Sequence, residues 1–173
     1  EKNKIEPDTK RILGMTGEEI LSLFYENILY KKNDFGWAFK PDLSFFKSKI
    51  LNYDLLDSKT GKILISKGTK VNQKIINDLK KKNVSTISIS EESLVGFYLS
   101  SDIIDENTGK IFFEAGYEID DIFIDFIKEN KINKIDILKS DNIEIGSYIR
   151  NTIQLDKARS REEALFEVFK ILR

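Results

Sequence analysis

Cysteine and histidine are both absent from the 173 residues. Without cysteine there can be no disulfide, no thiolate nucleophile and no Cys/His zinc site. Without histidine the commonest general base is missing, so any chemistry would rest on carboxylates, Lys, Tyr or Ser. A strong excess of one charge is lacking too: 28 basic residues face 29 acidic ones, for a net charge of -1. That balance argues against a dedicated nucleic-acid binder, which carries a basic excess, while leaving room for local phosphate contacts. No apolar run approaches the ~20 residues of a membrane span, and no basic-then-apolar signal segment opens the chain. The lack of cysteine fits a cytoplasmic location. The first residue is Glu1 rather than Met, so an intact native N-terminus is not expected.

What is present is a globular balance, 40% hydrophobic and 33% charged, in a length that suits one ordinary domain or two to three small ones. Residues 12–30 read as a helix. Thr16 is a good N-cap and Glu19 completes a capping box; Ile20, Leu21, Leu23, Phe24, Ile28 and Leu29 form an apolar face. Residues 31–50 read as aromatic and irregular, with Phe35, Trp37, Phe39, Phe45 and Phe46 expected to bury along a seam, as large aromatic rings mostly do.

The middle of the chain is duplicated. The segment beginning Asp54-Leu-Leu-Asp57 and running through Thr60-Gly61-Lys62-Ile63 recurs as Asp102-Ile-Ile-Asp105 through Thr108-Gly109-Lys110-Ile111. Gly68 matches Gly116, Val71 matches Ile119, Leu79 matches Ile127, and Ile87 and Ile89 match Ile135 and Ile137. A fixed offset of this kind marks a repeated supersecondary unit. Each unit reads as hairpin, helix, strand. Gly61 or Gly109 closes the turn at positive φ. Asn72 or Asp120 caps the helix, Val71/Ile76 or Ile119/Ile124 staple it, and the helices are expected to end near Asn83 and Asn130. A short strand closes each unit.

Residues 144–173 differ. Ile145-Gly-Ser-Tyr-Ile149 reads as a short extended piece. Ser160 and Glu163 form a second capping box, followed by an apolar helical face from Ala164, Leu165, Val168, Phe169, Ile171 and Leu172. The helix reaches Arg173 without a Gly or Pro stop, which is expected of a piece of something longer. Motifs for chemistry fail. The Asp105 loop has Gly116 where a calcium loop needs its bidentate Glu, and a phosphate loop would need Gly at Leu56 or Ile104. Asp120-Asp121 reads as helix-start acids facing the dipole.

Tyr148-Ile149, Thr152-Ile153 and Asp156, then Glu163-Ala-Leu165, Glu167-Val168 and Ile171-Leu-Arg173, resemble bacterial RNA polymerase beta subunits. Leu13-Gly-Met-Thr-Gly-Glu-Glu-Ile-Leu21 with Phe24-Tyr25 is similar to the family's helix just before its variable insertion. The resemblance implies a part of the beta lobe with its lineage-specific insertion, in an enzyme that polymerises ribonucleotides on DNA. It implies magnesium bound elsewhere in that enzyme and no cofactor or catalytic residue in this chain. It implies beta-prime, alpha and sigma subunits, promoter and downstream DNA, and transcription regulators as partners, with no membrane. It places Arg173 near the non-template strand, where an Arg can meet phosphate or a guanine edge.

The expected fold is α+β: a helical lobe portion from the two chain ends carrying two tandem hairpin-helix-strand modules. The expected partition is 1–50 and 140–173 in the lobe, 51–98 as the first inserted module and 99–139 as the second. Two other readings compete. One is a free-standing duplicated binding module, such as a signalling adaptor. The other is a carboxylate-based hydrolase, which the missing histidine disfavours.

Overall fold

The computed structural model describes residues 15–82, 84–105, 107–140, 146–156, 158 and 161–173, with Arg161 described by its backbone alone. Helix α1 spans Gly17–Phe24, and its capping box is formed: Thr16 Oγ1 accepts from the Glu19 amide at 3.2 Å and Glu19 Oε2 accepts from the Thr16 amide at 2.9 Å. The helix stops there. Tyr25 is extended, and Ile28 and Leu29 lie in strand β1, Asn27–Asn33, which turns back into β2, Gly36–Phe39. The helix expected to reach residue 30 is therefore shorter, and the segment expected to be irregular contains a hairpin. Apolar spacing alone cannot separate the two forms. The strand wins because both its edges are paired, β1 to β2 on one side and to β8, Lys134–Leu138, on the other.

The first unit then supplies β3 (Leu55–Asp57), β4 (Ile63–Ile65), helix α2 (Gln73–Lys81) and β5 (Ile87–Ile89). A 3-10 turn at Glu91–Leu94 leads into the second unit. That unit supplies β6 (Ile103–Ile104), β7 (Ile111–Phe113), helix α3 (Asp121–Glu129) and β8. Two helices follow, α4 (Tyr148–Leu155) and α5 (Arg161–Leu172). Tyr148 and Ile149 are thus helical where an extended piece was expected. The Ser160 cap and the end at Asn83 lie outside the described residues. The α+β class holds.

The sheet runs β4-β3-β5-β2-β1-β8, antiparallel at every pairing, and β6-β7 forms a separate two-stranded sheet. The β1–β2 hairpin sits at the centre, with the closing strand of one unit on each side. Trp37, Phe39, Ile87, Ile89, Ile135 and Ile137 bury between this sheet and the two unit helices, which contribute Ile76, Leu79, Phe123 and Ile127. Full burial of side chains of this size contributes about 1.5–3 kcal/mol each. Gly36 (φ 124°) cannot be replaced without cost, because a Cβ there would meet the carbonyl of Ile89 across the β2–β5 pairing.

The duplication extends to individual bonds. Ser48 donates to the Val71 carbonyl at 2.8 Å, and Gly96 to Ile119 at 2.9 Å. Leu51 donates to Thr69 at 3.2 Å, and Leu99 to Tyr117 at 3.0 Å. Asn72 Oδ1 accepts from the Ile75 amide at 3.0 Å, and Asp120 Oδ1 from the Phe123 amide at 2.9 Å. Even the positive φ recurs, at Ser48 and at Gly96.

Candidate nucleic-acid and docking surfaces

The C-terminal helices form one candidate surface. Helix α5 turns its apolar side chains outward: Leu165, Phe166, Val168 and Phe169 are exposed, and Ile171 and Leu172 are more than four-fifths exposed. A stripe this apolar is normally covered by a partner element. Arg173 follows it, exposed, with its guanidinium carbon 5.7 Å from the centre of the Phe169 ring. Lys170 is tied to Glu167 at 2.7 Å. Lys157 and Arg159 lie outside the described residues.

Arg150, on α4, is held inside the fold. Its Nε donates to the Gly116 carbonyl at 2.5 Å, its guanidinium lies 4.4 Å from the Tyr98 ring centre, and Glu118 is 3.8 Å away. It fastens α4 to the second unit beside a small cluster of Leu21, Tyr25, Ala115 and Leu138. The structure does not bring Arg150 and Arg173 into a shared basic patch: one is locked against Gly116 and Tyr98, and the other lies exposed at the end of α5 over the Phe169 ring.

The duplicated turns close on themselves. Asp57 accepts from the Lys59 amide at 3.0 Å and the Thr60 hydroxyl at 2.8 Å; Asp105 accepts from the Asn107 amide at 2.9 Å and the Thr108 hydroxyl at 2.7 Å. The Lys59 amide first, then the Thr60 hydroxyl, hold the Asp57 carboxyl below its ordinary value; for Asp105 the Thr108 hydroxyl acts first and the Asn107 amide second. These oxygens are engaged by the turn. Asp120 is a helix cap, as read from sequence, and Tyr117 donates to it at 2.8 Å. Among the described residues no group of three or more His, Cys, Asp or Glu gathers as a metal site.

Two ion clusters were not legible in sequence. Glu91 takes Lys32 at 3.0 Å and Lys128 at 3.5 Å. Burial pushes its carboxyl up, but the Lys32 hydrogen bond and the two positive charges outweigh it and leave the carboxyl below its ordinary value. Lys139 bridges Glu26 at 2.7 Å and Asp42 at 3.6 Å, and the Glu26 hydrogen bond holds its ammonium above the ordinary value. Beside Lys139 lies a cavity of about 240 Å³ walled by Tyr30, Phe39, Phe45, Tyr53 and Phe97. The aromatic run was the only sequence signal for it; the clusters join residues far apart in the chain.

No protein-family model matches the sequence. The chain is 48% identical over 161 residues to the DNA-directed RNA polymerase subunit beta of Brucella canis, with the same identity and length for the proteins of that name from Brucella suis and Brucella melitensis. The match covers 93% of this chain and 12% of each relative. The chain therefore spans about an eighth of the length of the curated relatives it matches.

Proposed function

Since the chain is homologous along 93% of its length to a segment of the bacterial DNA-directed RNA polymerase beta subunit, we propose that it serves DNA-templated transcription as a non-catalytic part of that subunit. That level of identity across nearly the whole chain is the observation that carries the reading. Helices α4 and α5 belong to the lobe, and their end, with Arg173, lines the downstream, non-template side of the DNA cleft. The residues counted above as 51–98 and 99–139 are the inserted modules and offer an outer surface to transcription regulators. The beta-prime, alpha and sigma subunits complete the assembly in the cytoplasm. The magnesium ions of polymerisation are bound outside this chain.

Two features support this division of labour. The apolar stripe on α5 asks for a covering element, which the rest of a large subunit supplies. The body has its own core and turns capped helices outward, as a docking module does. The adaptor reading finds no support among the relatives. The test is Arg173→Ala in assembled polymerase, read by promoter opening. Slower opening with intact assembly supports the assignment; unchanged opening at several promoters removes Arg173 from it.

A further inference from the structure

The two units differ at one place, and the difference leaves a cleft. In the first, β3 lies against β5, with Leu56 facing Ser88 and Asp57 facing Ile87. Small residues allow this approach. Ser58 Oγ is 3.1 Å from the Thr86 carbonyl, which accepts from it, and Ser88 is fully buried. In the second unit the corresponding strands are β6 and β8, but among the described residues β6 pairs only with β7. The 48-residue offset puts Lys134 where Thr86 stands and Asp136 where Ser88 stands. An Asp in the fully buried place that Ser88 holds on the sheet face would need a partner there.

Aromatic packing holds the second hairpin away from β8. The Phe113 ring centre is 5.0 Å from those of both Phe123 and Phe126, and Phe112 is 5.0 Å from Phe126. The first unit has Ile65, Ile75, Asp78 and Leu64 at these positions, so no cluster of aromatic rings joins its hairpin to its helix. Strand β8 is engaged instead by the chain just before the hairpin: Leu138 donates to Tyr98 at 2.8 Å and Ser100 donates to Asp136 at 2.9 Å. Beyond Ser100 the chain leaves β8.

The resulting cleft holds about 620 Å³ and is lined in part by Ile104, Phe112, Phe126, Lys131, Ile132 and Lys134. Its lining includes residues of both strands, Ile103 and Ile104 of β6 and Lys134 of β8. Asp105 sends its amide to the Lys110 carbonyl, so its neighbour Ile104 turns its own N–H and C=O away from β7, as Leu56 does toward Ser88. On β8, Asn133 accepts from Lys32, so Lys134 and Asp136 turn their backbone groups away from β1. Among the described residues, the Asp136 amide has no ladder partner on that side.

We propose that this cleft takes an extended peptide segment as an added strand, acidic and carrying apolar side chains at alternate positions. Backbone pairing gives such sites their affinity and alternate side chains their selectivity. The first unit shows what the same scaffold accepts here, namely a strand. The charge preference follows from the rim. Among the described residues of the lining, the exposed Lys131 and Lys134 outnumber the one carboxylate, Asp105, whose oxygens already accept from its own turn. Ile104 and Phe112, each more than two-fifths exposed, receive the apolar side chains. This names a partner chemistry for the docking role proposed above and rests on that role. Peptide binding is read without any transcription assay, so its failure leaves the Arg173 test untouched, and the reverse holds as well.

The test titrates the ¹⁵N-labelled 173-residue chain with the capped peptide Val-Glu-Val-Glu-Val-Glu-Val. Saturable shifts are expected at the amides of Ile104, Lys134 and Asp136. Affinity should fall at least roughly tenfold when alternate peptide amides are N-methylated, which removes pairing and keeps every side chain. It should fall also when Glu is replaced by Lys, and the Lys131→Glu, Lys134→Glu double variant should reverse that preference. No saturable shift at these amides, equal binding of the N-methylated peptide, or an unchanged preference in the double variant would each overturn the proposal.

Discussion

Arg150 donates through Nε to the carbonyl of Gly116 at 2.5 Å, across 34 residues of sequence. Gly116 is the residue that turns the second unit out of its hairpin, so this bond fixes α4 to the duplicated body. Arg150→Ala removes a charge-assisted bond to a half-buried carbonyl and the stacking on Tyr98. The expected loss is about 1.5–3 kcal/mol, measured by urea unfolding. Arg150→Lys recovers little of it, because an ammonium cannot both stack on the ring and reach the carbonyl as a planar guanidinium does.

Leu79 and Ile127 occupy equivalent helix positions in the two units and are both buried. Each cut to Ala should cost about 2–5 kcal/mol. Ile122, 69% exposed at the start of α3, should cost no more than about 0.5 kcal/mol when cut the same way. Because one sheet carries both units, each core variant should shift a single unfolding transition detected by tryptophan fluorescence and circular dichroism alike. Separate transitions would mean that the units fold independently.

The Glu91 cluster sets an acid limit. Its carboxyl lies below its ordinary value in the fold, so the unfolded chain binds that proton more readily. The stabilisation is present above the unfolded value and fades as pH falls through the depressed one. The stability difference between wild type and Glu91→Gln should therefore narrow on acidification. Lys139 acts at the other end. Its raised value makes its contribution complete below the unfolded value, and it is lost as pH rises through the folded one. Urea midpoints across pH give both; a Glu91→Gln difference constant from neutrality to strong acid would refute the acid limit.

Net charge predicts weak DNA affinity for the chain by itself. With 28 basic and 29 acidic residues, few phosphates are neutralised, and binding at physiological salt should be no tighter than the ~10⁻⁴–10⁻⁶ M of non-specific contacts. Fluorescence anisotropy with a labelled duplex and with a single strand measures it. Nanomolar binding would contradict this reading of the charge balance.

The duplicated units were legible because their turns use residues with little substitute. Asp57 and Asp105 bond their own loops, and Gly61 and Gly109 take positive φ. Staples, caps and closing strands followed from the same offset. The β1–β2 hairpin was not legible. Ile20 to Leu29 carries apolar residues at helical spacing, and it is the pairing of β1 and β2 with each other and with β8 and β5, from distant sequence, that makes 27–33 and 36–39 extended. Tyr148 and Ile149 are ambiguous for a related reason: a glycine before a short apolar run fits a strand or a helix start, and the structure takes the helix. The role given to Arg173 came from resemblance, since an exposed Arg at a helix end has no local signature. The locked state of Arg150 depends on Gly116 and Tyr98, which spacing cannot connect to it.

The most direct test of the central claim is to recover, with an antibody raised against this chain, the native polypeptide that carries it, and to assay the captured material for magnesium-dependent ribonucleotide polymerisation on a DNA template. The expected result is one polypeptide several times longer than this chain, held with other polymerase subunits and active in that assay. A free protein of about 20.1 kDa without polymerising activity would contradict it.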